Sequence, residues 1–196
     1  MNKTVVIIAV GILSIAPISV LMSDTLRWVW NQEGHDEAEH ESDGWIESRK
    51  DVEPVRNETY EAECGACHLA YQPGLLPASA WRRIMGSLDD HYGDDASLDG
   101  ALSAQIRDYL ISNAAERSAL SRSRAFAHRG PSAEALPRIT DTDYFRREHY
   151  EIPGRLVKGN REVGSFSNCQ ACHRNATAGV YNEHQVVIPG VGRWDD

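Results

Sequence analysis

The chain has no cysteine to spare. Its 196 residues contain four, all within two pentapeptides, CGACH at Cys64–His68 and CQACH at Cys169–His173. Methionine is scarce too. Of three, Met1 and Met22 belong to the N-terminal apolar segment, so Met85 is the one thioether in the rest of the chain. Positive charge is in deficit, with 20 Lys and Arg against 29 Asp and Glu and a net charge of −9. That balance disfavours nucleic acid and anionic lipid surfaces as partners and suits a partner with a basic docking patch. Strand-like patterning is almost absent. Val186–Ile188 reads as an edge strand, and Pro189–Gly190 ends it at once.

The two pentapeptides are C-x-x-C-H, the attachment signature of c-type haem. The two thiols add across the vinyl groups at one porphyrin edge, so they must lie about one helical turn apart. The histidine that follows then presents its imidazole to the iron. A shared zinc site would need its cysteine pairs about 15–20 residues apart. Cys67 and Cys169 are 102 positions apart. A redox dithiol would sit in a strand–helix context, and no strand pattern precedes Cys64. The expectation is therefore two covalently bound haems c, one on Cys64, Cys67 and His68, the other on Cys169, Cys172 and His173. Haem also addresses a shortage of length, because about 140 residues outside the N-terminal region is modest for two hydrophobic cores. Each haem is a large apolar body around which short helices can pack.

Val5–Met22 is an uncharged apolar run, preceded by Lys3 and followed by Asp24 and Arg27. At 1.5 Å per residue it is roughly 27 Å long, close to a bilayer core. Small residues in a cleavage pattern are poorly placed, with Pro17 in the way, and Trp28 and Trp30 fall where an interfacial aromatic belt would lie. Residues 4–30 are expected to be a retained transmembrane helix. Lys3 suggests a cytoplasmic N-terminus, which puts the haem motifs on the periplasmic side of the inner membrane. Residues 31–56 read as an acidic tether, since Glu33–Glu53 carries nine acids against Arg49 and Lys50. His35 and His40 lie among those acids, five residues apart and poorly matched to one helical face. Trp45–Ile46 is a thin candidate for a docking point.

Residues 57–115 are expected to form a first haem unit. Asn57 is suited to cap a helix bearing Tyr60, Cys64 and Cys67 toward the haem, with Glu58 and Glu61 near its positive end. A proline carbonyl in the loop Pro73–Pro77 is placed to orient His68. Ser79 is suited to cap a helix from Ala80 to about Tyr92, whose stripe of Trp81, Ile84, Met85 and Leu88 reaches His91. His91 is thus the expected sixth ligand, with Met85 as the rival on the same face. A closing helix, Leu98 to about Ala114, would bury Leu102, Ile106, Tyr109 and Leu110.

Residues 116–196 form the expected second unit. A basic stretch (Arg117, Arg122, Arg124, Arg129, Arg138) reads as a connector helix, also able to pair haem propionates or the acidic tether. Asp141 or Thr142 should cap a short helix carrying Tyr144, Phe145 and His149. His149 lies twenty residues before Cys169, across a Gly/Pro-rich loop, and is the expected sixth ligand. His184, eleven residues after His173, is the alternative, and His128 a third.

The ordered stretches CGACHLAYQPGLLPASAW, HYGDDASL, RITDTDYF, RREH, NCQACH and NEHQVVIPG, spanning nearly all of Asn57 to Gly190, resemble the bacterial dihaem cytochrome c family, DHC. The resemblance implies an α-helical periplasmic electron carrier whose two haems both have two histidine ligands, His68 with His91 and His173 with His149. It also implies redox partners such as a membrane cytochrome b or a small monohaem cytochrome c. The apolar run and acidic stretch set this chain apart from soluble members and favour a fixed place in a membrane assembly. The expected fold is mainly α: two small cytochrome c-like units of short helices and loops, after one transmembrane helix and a tether. Electron transfer is the expected function, without enzymatic activity. A dihaem peroxidase-like enzyme or a gas-binding module is the alternative, and either needs one haem with an open position.

Overall fold

The computed structural model describes residues 49–127 and 135–194. The expected membrane helix, the tether up to residue 48 with His35, His40, Trp45 and Ile46, and His128 lie outside the described residues. Within them the fold is built from short helices, and no helix is long and apolar enough to cross a membrane.

Helix α1, Glu58–Cys64, starts as its sequence dictates. Asn57 Oδ1 accepts the Tyr60 N–H at 2.8 Å, and Glu58 and Glu61 occupy the first turn. It ends earlier than expected, because Gly65 closes the last turn on the Glu61 carbonyl and leaves Cys67 in a turn beyond the helix. Tyr60 is buried in the helical core, its hydroxyl donating to the Tyr71 carbonyl at 2.8 Å.

Helix α2, Ala78–Met85, carries the expected stripe, with Trp81, Ile84 and Met85 all buried. Its start differs from expectation. Ser79 does not cap it; both carboxylate oxygens of Glu116, 38 positions away, accept the Ala78 N–H at 3.1 Å. Its end differs too. Gly86, a poor helix former, donates to the Arg82 and Arg83 carbonyls and terminates the helix. A 3₁₀ turn, Leu88–Asp90, follows. His91 is therefore placed by a tight reversal rather than by a continuing helix. The His91 N–H donates to the Asp94 carbonyl at 2.7 Å, and Tyr92 and Gly93 both take positive φ, 60° and 105°. The Tyr92 hydroxyl donates to the Pro137 carbonyl and Arg138 stacks 4.1 Å over its ring, which pins this reversal.

Helix α3, Gly100–Ser112, is capped by Asp99, which accepts the Ala101 and Leu102 N–H groups. It packs on α2 through Ile106 and Leu110. Helix α4, Ser121–Ala127, buries Ser123 and Phe126. Helix α5, Asp143–His149, is capped by Thr142, whose Oγ1 accepts the Phe145 N–H at 3.2 Å. Helix α6, Cys169–Cys172, is a single turn holding the second pentapeptide's cysteines. The chain closes with a two-stranded antiparallel ribbon of β1, Val187–Ile188, and β2, Gly192–Arg193, with Ile188 opposite Gly192.

Two apolar clusters form the interior. One joins Tyr60, Leu76, Trp81, Ile84, Met85, Ile106 and Leu110. The other joins Val52, Leu75, Ala115, Phe126 and Phe145. Neighbours Leu75 and Leu76 serve different clusters, so residue 115 is not a break in the packing, and the described residues fall in one compact unit. The end of the stretch read as a tether is also built in. Val52 is fully buried, and the Asp51 and Val52 N–H groups donate to the Gly179 carbonyl at 2.9 and 3.0 Å. Burying that valine contributes about 1.5–3 kcal/mol, which the mean composition of an acidic segment conceals.

Candidate haem sites

Each pentapeptide histidine faces one distant histidine. His68 and His91 have ring centres 6.2 Å apart and planes inclined by 19°. His173 and His149 have ring centres 6.1 Å apart and planes inclined by 73°. Two imidazoles bound to one metal, with about 2.0 Å per bond and about 1.1 Å from nitrogen to ring centre, would stand about 6 Å apart. Both pairs have the separation that one iron requires. His184 is elsewhere, on a surface turn, with its side chain 76% exposed and 3.9 Å from a Glu183 carboxylate oxygen.

The first site lies near the surface, with Cys67 and His68 exposed and Cys64 half-buried. The His68 Nδ1 lies 2.7 Å from the Leu69 carbonyl, so the ring is oriented by the adjacent residue and not by a proline. The Pro73 carbonyl instead accepts the Trp81 indole N–H at 2.8 Å. Tyr71 stacks on His68 with ring centres 5.0 Å apart. His91 Nδ1 is buried without a hydrogen-bond partner among the described residues. Burial first, then the facing His68, hold the His91 imidazole below its usual pKa. Met85 is 8% exposed, packed in the first apolar cluster.

The second site is a cavity of about 310 Å³, lined among others by His149, His173, Cys169, Cys172, Tyr144 and Phe166. Helix α5 delivers His149 on the same side as Phe145, four residues earlier. The two rings stack at 3.9 Å, and His149 Nδ1 lies 2.9 Å from the Phe145 carbonyl, which orients the ring. Phe166 meets both rings edge-on. Tyr181 packs against His173 at 5.3 Å, and its hydroxyl donates to Oε1 of the buried Gln72 at 2.6 Å. Burial, then the facing His149 and Arg122, push the His173 pKa down to about 4. The ring keeps its lone pair at neutral pH, as a metal ligand must. Arg122 lines this cavity and pairs with Asp51 at 3.5 Å, so at least one arginine of the basic stretch is engaged with the end of the acidic one.

The thiols separate the haem reading from its rivals. Burial pushes Cys64 and Cys169 up to about 11, the reverse of an activated redox thiolate. Among the described residues no group of three or more His, Cys, Asp or Glu is arranged to hold a metal ion, which a zinc site would need. Each histidine pair would hold one haem iron between its rings, with the cysteine pair of its motif beside it to carry the porphyrin. Tyr71 and Gln72 fall in the stretch CGACHLAYQPGLLPASAW that carries the family resemblance, but nothing in it marks their contacts, and Tyr181 lies just outside the stretch NEHQVVIPG.

Short helices presenting two C-x-x-C-H motifs, each with a second histidine opposite, define a c-type cytochrome with two haem sites. Comparison with protein families matches residues 60–181 to the family described as dihaem cytochrome c, DHC. Among solved structures, a dihaem cytochrome c from Shewanella baltica is 44% identical, with a TM-score of 0.59 over 71% of this chain and 98% of that one. A dihaem cytochrome c from Rhodobacter sphaeroides is 39% identical, with a TM-score of 0.56 over 66% of this chain and 100% of that one. A second Rhodobacter sphaeroides structure, of purified DHC, is 37% identical with a TM-score of 0.52, over 65% of this chain and 99% of that one. A search of curated proteins finds no match. The chain belongs to the dihaem cytochrome c family and carries two covalently bound haems c.

Proposed function

We propose that the protein is an electron carrier fixed to the inner membrane by residues 4–30, with both haems in the periplasm and both irons closed by two histidines. The observation that carries this reading is the pair of ring separations, 6.2 Å for His68 with His91 and 6.1 Å for His173 with His149. A haem closed on both faces by protein has no position for substrate, so its chemistry is one-electron exchange. Ligation by two imidazoles lacks the thioether that raises potential, so both potentials lie low relative to His/Met cytochromes. The chain's own contribution is to hold the rings. Leu69 and Phe145 carbonyls orient His68 and His149, and Tyr181 and Phe166 pack beside His173 and His149. The anchor rests on the length and uncharged character of Val5–Met22. The net charge of −9 suits redox partners with basic docking patches, such as a membrane cytochrome b or a small monohaem cytochrome c.

The test is carbon monoxide binding to the reduced, haem-loaded full chain. The expected result is two haems c per chain in a pyridine assay and no carbon monoxide complex at native pH. A complex at either iron would mean an open position and would return the peroxidase-like or gas-binding alternative.

A further inference from the structure

Tyr71 touches both haem sites. Its ring stacks on His68 at 5.0 Å with planes inclined by 24°. Its hydroxyl donates at 2.7 Å to the carbonyl of Ser167, 96 positions away and two residues before Cys169. The Cys169 sulfur lies 3.6 Å from that same carbonyl oxygen. A second connection starts one peptide further on. Gln72 is fully buried; its Oε1 accepts the Tyr181 hydroxyl at 2.6 Å and its Nε2 donates to the Ala176 carbonyl at 2.6 Å. Tyr181 in turn packs on His173. The backbone of Tyr71 is itself held, since its carbonyl accepts the Tyr60 hydroxyl. A histidine ring of one site is therefore joined to a cysteine and to a histidine ring of the other through two chains of ring contacts and hydrogen bonds, and both begin at Tyr71.

We propose that Tyr71 is the coupling residue between the two haem sites, carrying electronic contact from His68 to Cys169 through its hydroxyl and to His173 through Gln72 and Tyr181. The proposal rests on the two-haem electron-carrier reading and adds the internal route. The step is a one-electron exchange. One site passes from ferrous to ferric as the other passes from ferric to ferrous, with the electron supplied by an external redox partner and no bond made or broken. Packed rings and hydrogen bonds couple two sites better than empty gaps of the same length, so the residue common to both chains controls the exchange. Tyr71 does not ligate iron; it acts through His68 and the segment before Cys169.

The experiment is pulsed reduction of the haem-loaded full chain by a viologen radical. The readout is the concentration-independent relaxation that redistributes the electron between the two haems. Spectra, carbon monoxide binding and spectroelectrochemical potentials are recorded on the same samples. Tyr71→Phe keeps the stacked ring and removes the hydroxyl, and should slow the exchange severalfold with both haems still low spin. Tyr71→Leu removes the ring as well and should slow it further. Gln72→Ala leaves the hydroxyl route intact and should slow it less than Tyr71→Leu. Unchanged exchange in Tyr71→Phe and Tyr71→Leu would overturn the proposal and assign the coupling to the haem edges. A change of spin state in Tyr71→Phe would also overturn it, leaving Tyr71 only a structural support of His68. Failure of the carrier reading is distinct: the unmodified protein would then bind carbon monoxide or hold fewer than two haems.

Discussion

Gly179 turns directly beneath the carbonyl of Val52, so closely that a Cβ at position 179 would fall inside the contact distance of that oxygen. Gly179 also takes a φ of 76°, in the left-handed region that side chains disfavour. This contact fastens the segment of Asp51 and Val52 to the turn after the second haem motif. Gly179→Ala should cost at least about 1–2 kcal/mol from the backbone alone, and more from displacement of Val52. Thermal melting of the haem-loaded protein measures it. An unchanged midpoint would show that the segment does not contribute to stability.

The histidine pairs respond separately. His91→Ala should convert only the first haem to high spin and open it to carbon monoxide, and His149→Ala should do the same only at the second. His184→Ala should leave both low spin, because that side chain is exposed and beside Glu183. Met85→Leu should keep both spectra and shift stability by less than about 1.5 kcal/mol, as a volume-conserving core change does. An iron–thioether charge-transfer band in the oxidised protein, or a high-spin haem in His184→Ala, would reassign the ligands.

The two sites should also be distinguishable without mutation. Ring planes inclined by 19° at the first pair and 73° at the second would impose different symmetry on an iron held by each. Electron paramagnetic resonance of the oxidised protein should show two unlike low-spin species. The more anisotropic one should be lost in His149→Ala. A single species accounting for both irons would contradict these orientations.

Alkaline stability follows from the phenols. Burial, as the leading cause, pushes the Tyr71 hydroxyl from the usual 10.0 up to about 12, and it pushes Tyr60 and Tyr181 upward as well. Between those values the folded chain holds a proton that the unfolded chain releases. Stability should therefore fall as pH rises from 10 toward 12. Tyr71→Phe should flatten the fall, as read by denaturant titrations at stepped pH. An identical slope in both proteins would show that Tyr71 ionises without resistance.

The proposed membrane anchor is tested by fractionation. The mature chain should begin at or near Met1 and partition with membranes, because Val5–Met22 is long enough to span and lacks a suitable cleavage pattern. Recovery of a soluble form beginning near Ser23 would replace the anchor with a removed export signal.

The sequence by itself determined the parts of this protein whose chemistry is local. Covalent haem attachment needs two thiols and an imidazole within five residues, so Cys64–His68 and Cys169–His173 announce it without a fold. Caps act over three residues, so Asn57 and Thr142 mark the starts of α1 and α5, and the latter places His149 beside Phe145. The helical stripe through Trp81, Ile84 and Met85 was legible for the same reason, but its extension to His91 was not. Gly86 ends the helix, and His91 meets His68 through the reversal at Tyr92–Gly93 that Pro137 and Arg138 hold. Tertiary structure alone decided that Glu116 caps α2, that Val52 leaves the acidic segment to enter the core, and that Tyr71 reaches Ser167. These contacts join residues 38 to more than 100 positions apart. A hydrogen bond or buried methyl at that separation depends on where the whole chain has folded, and no pattern in the neighbouring residues encodes it.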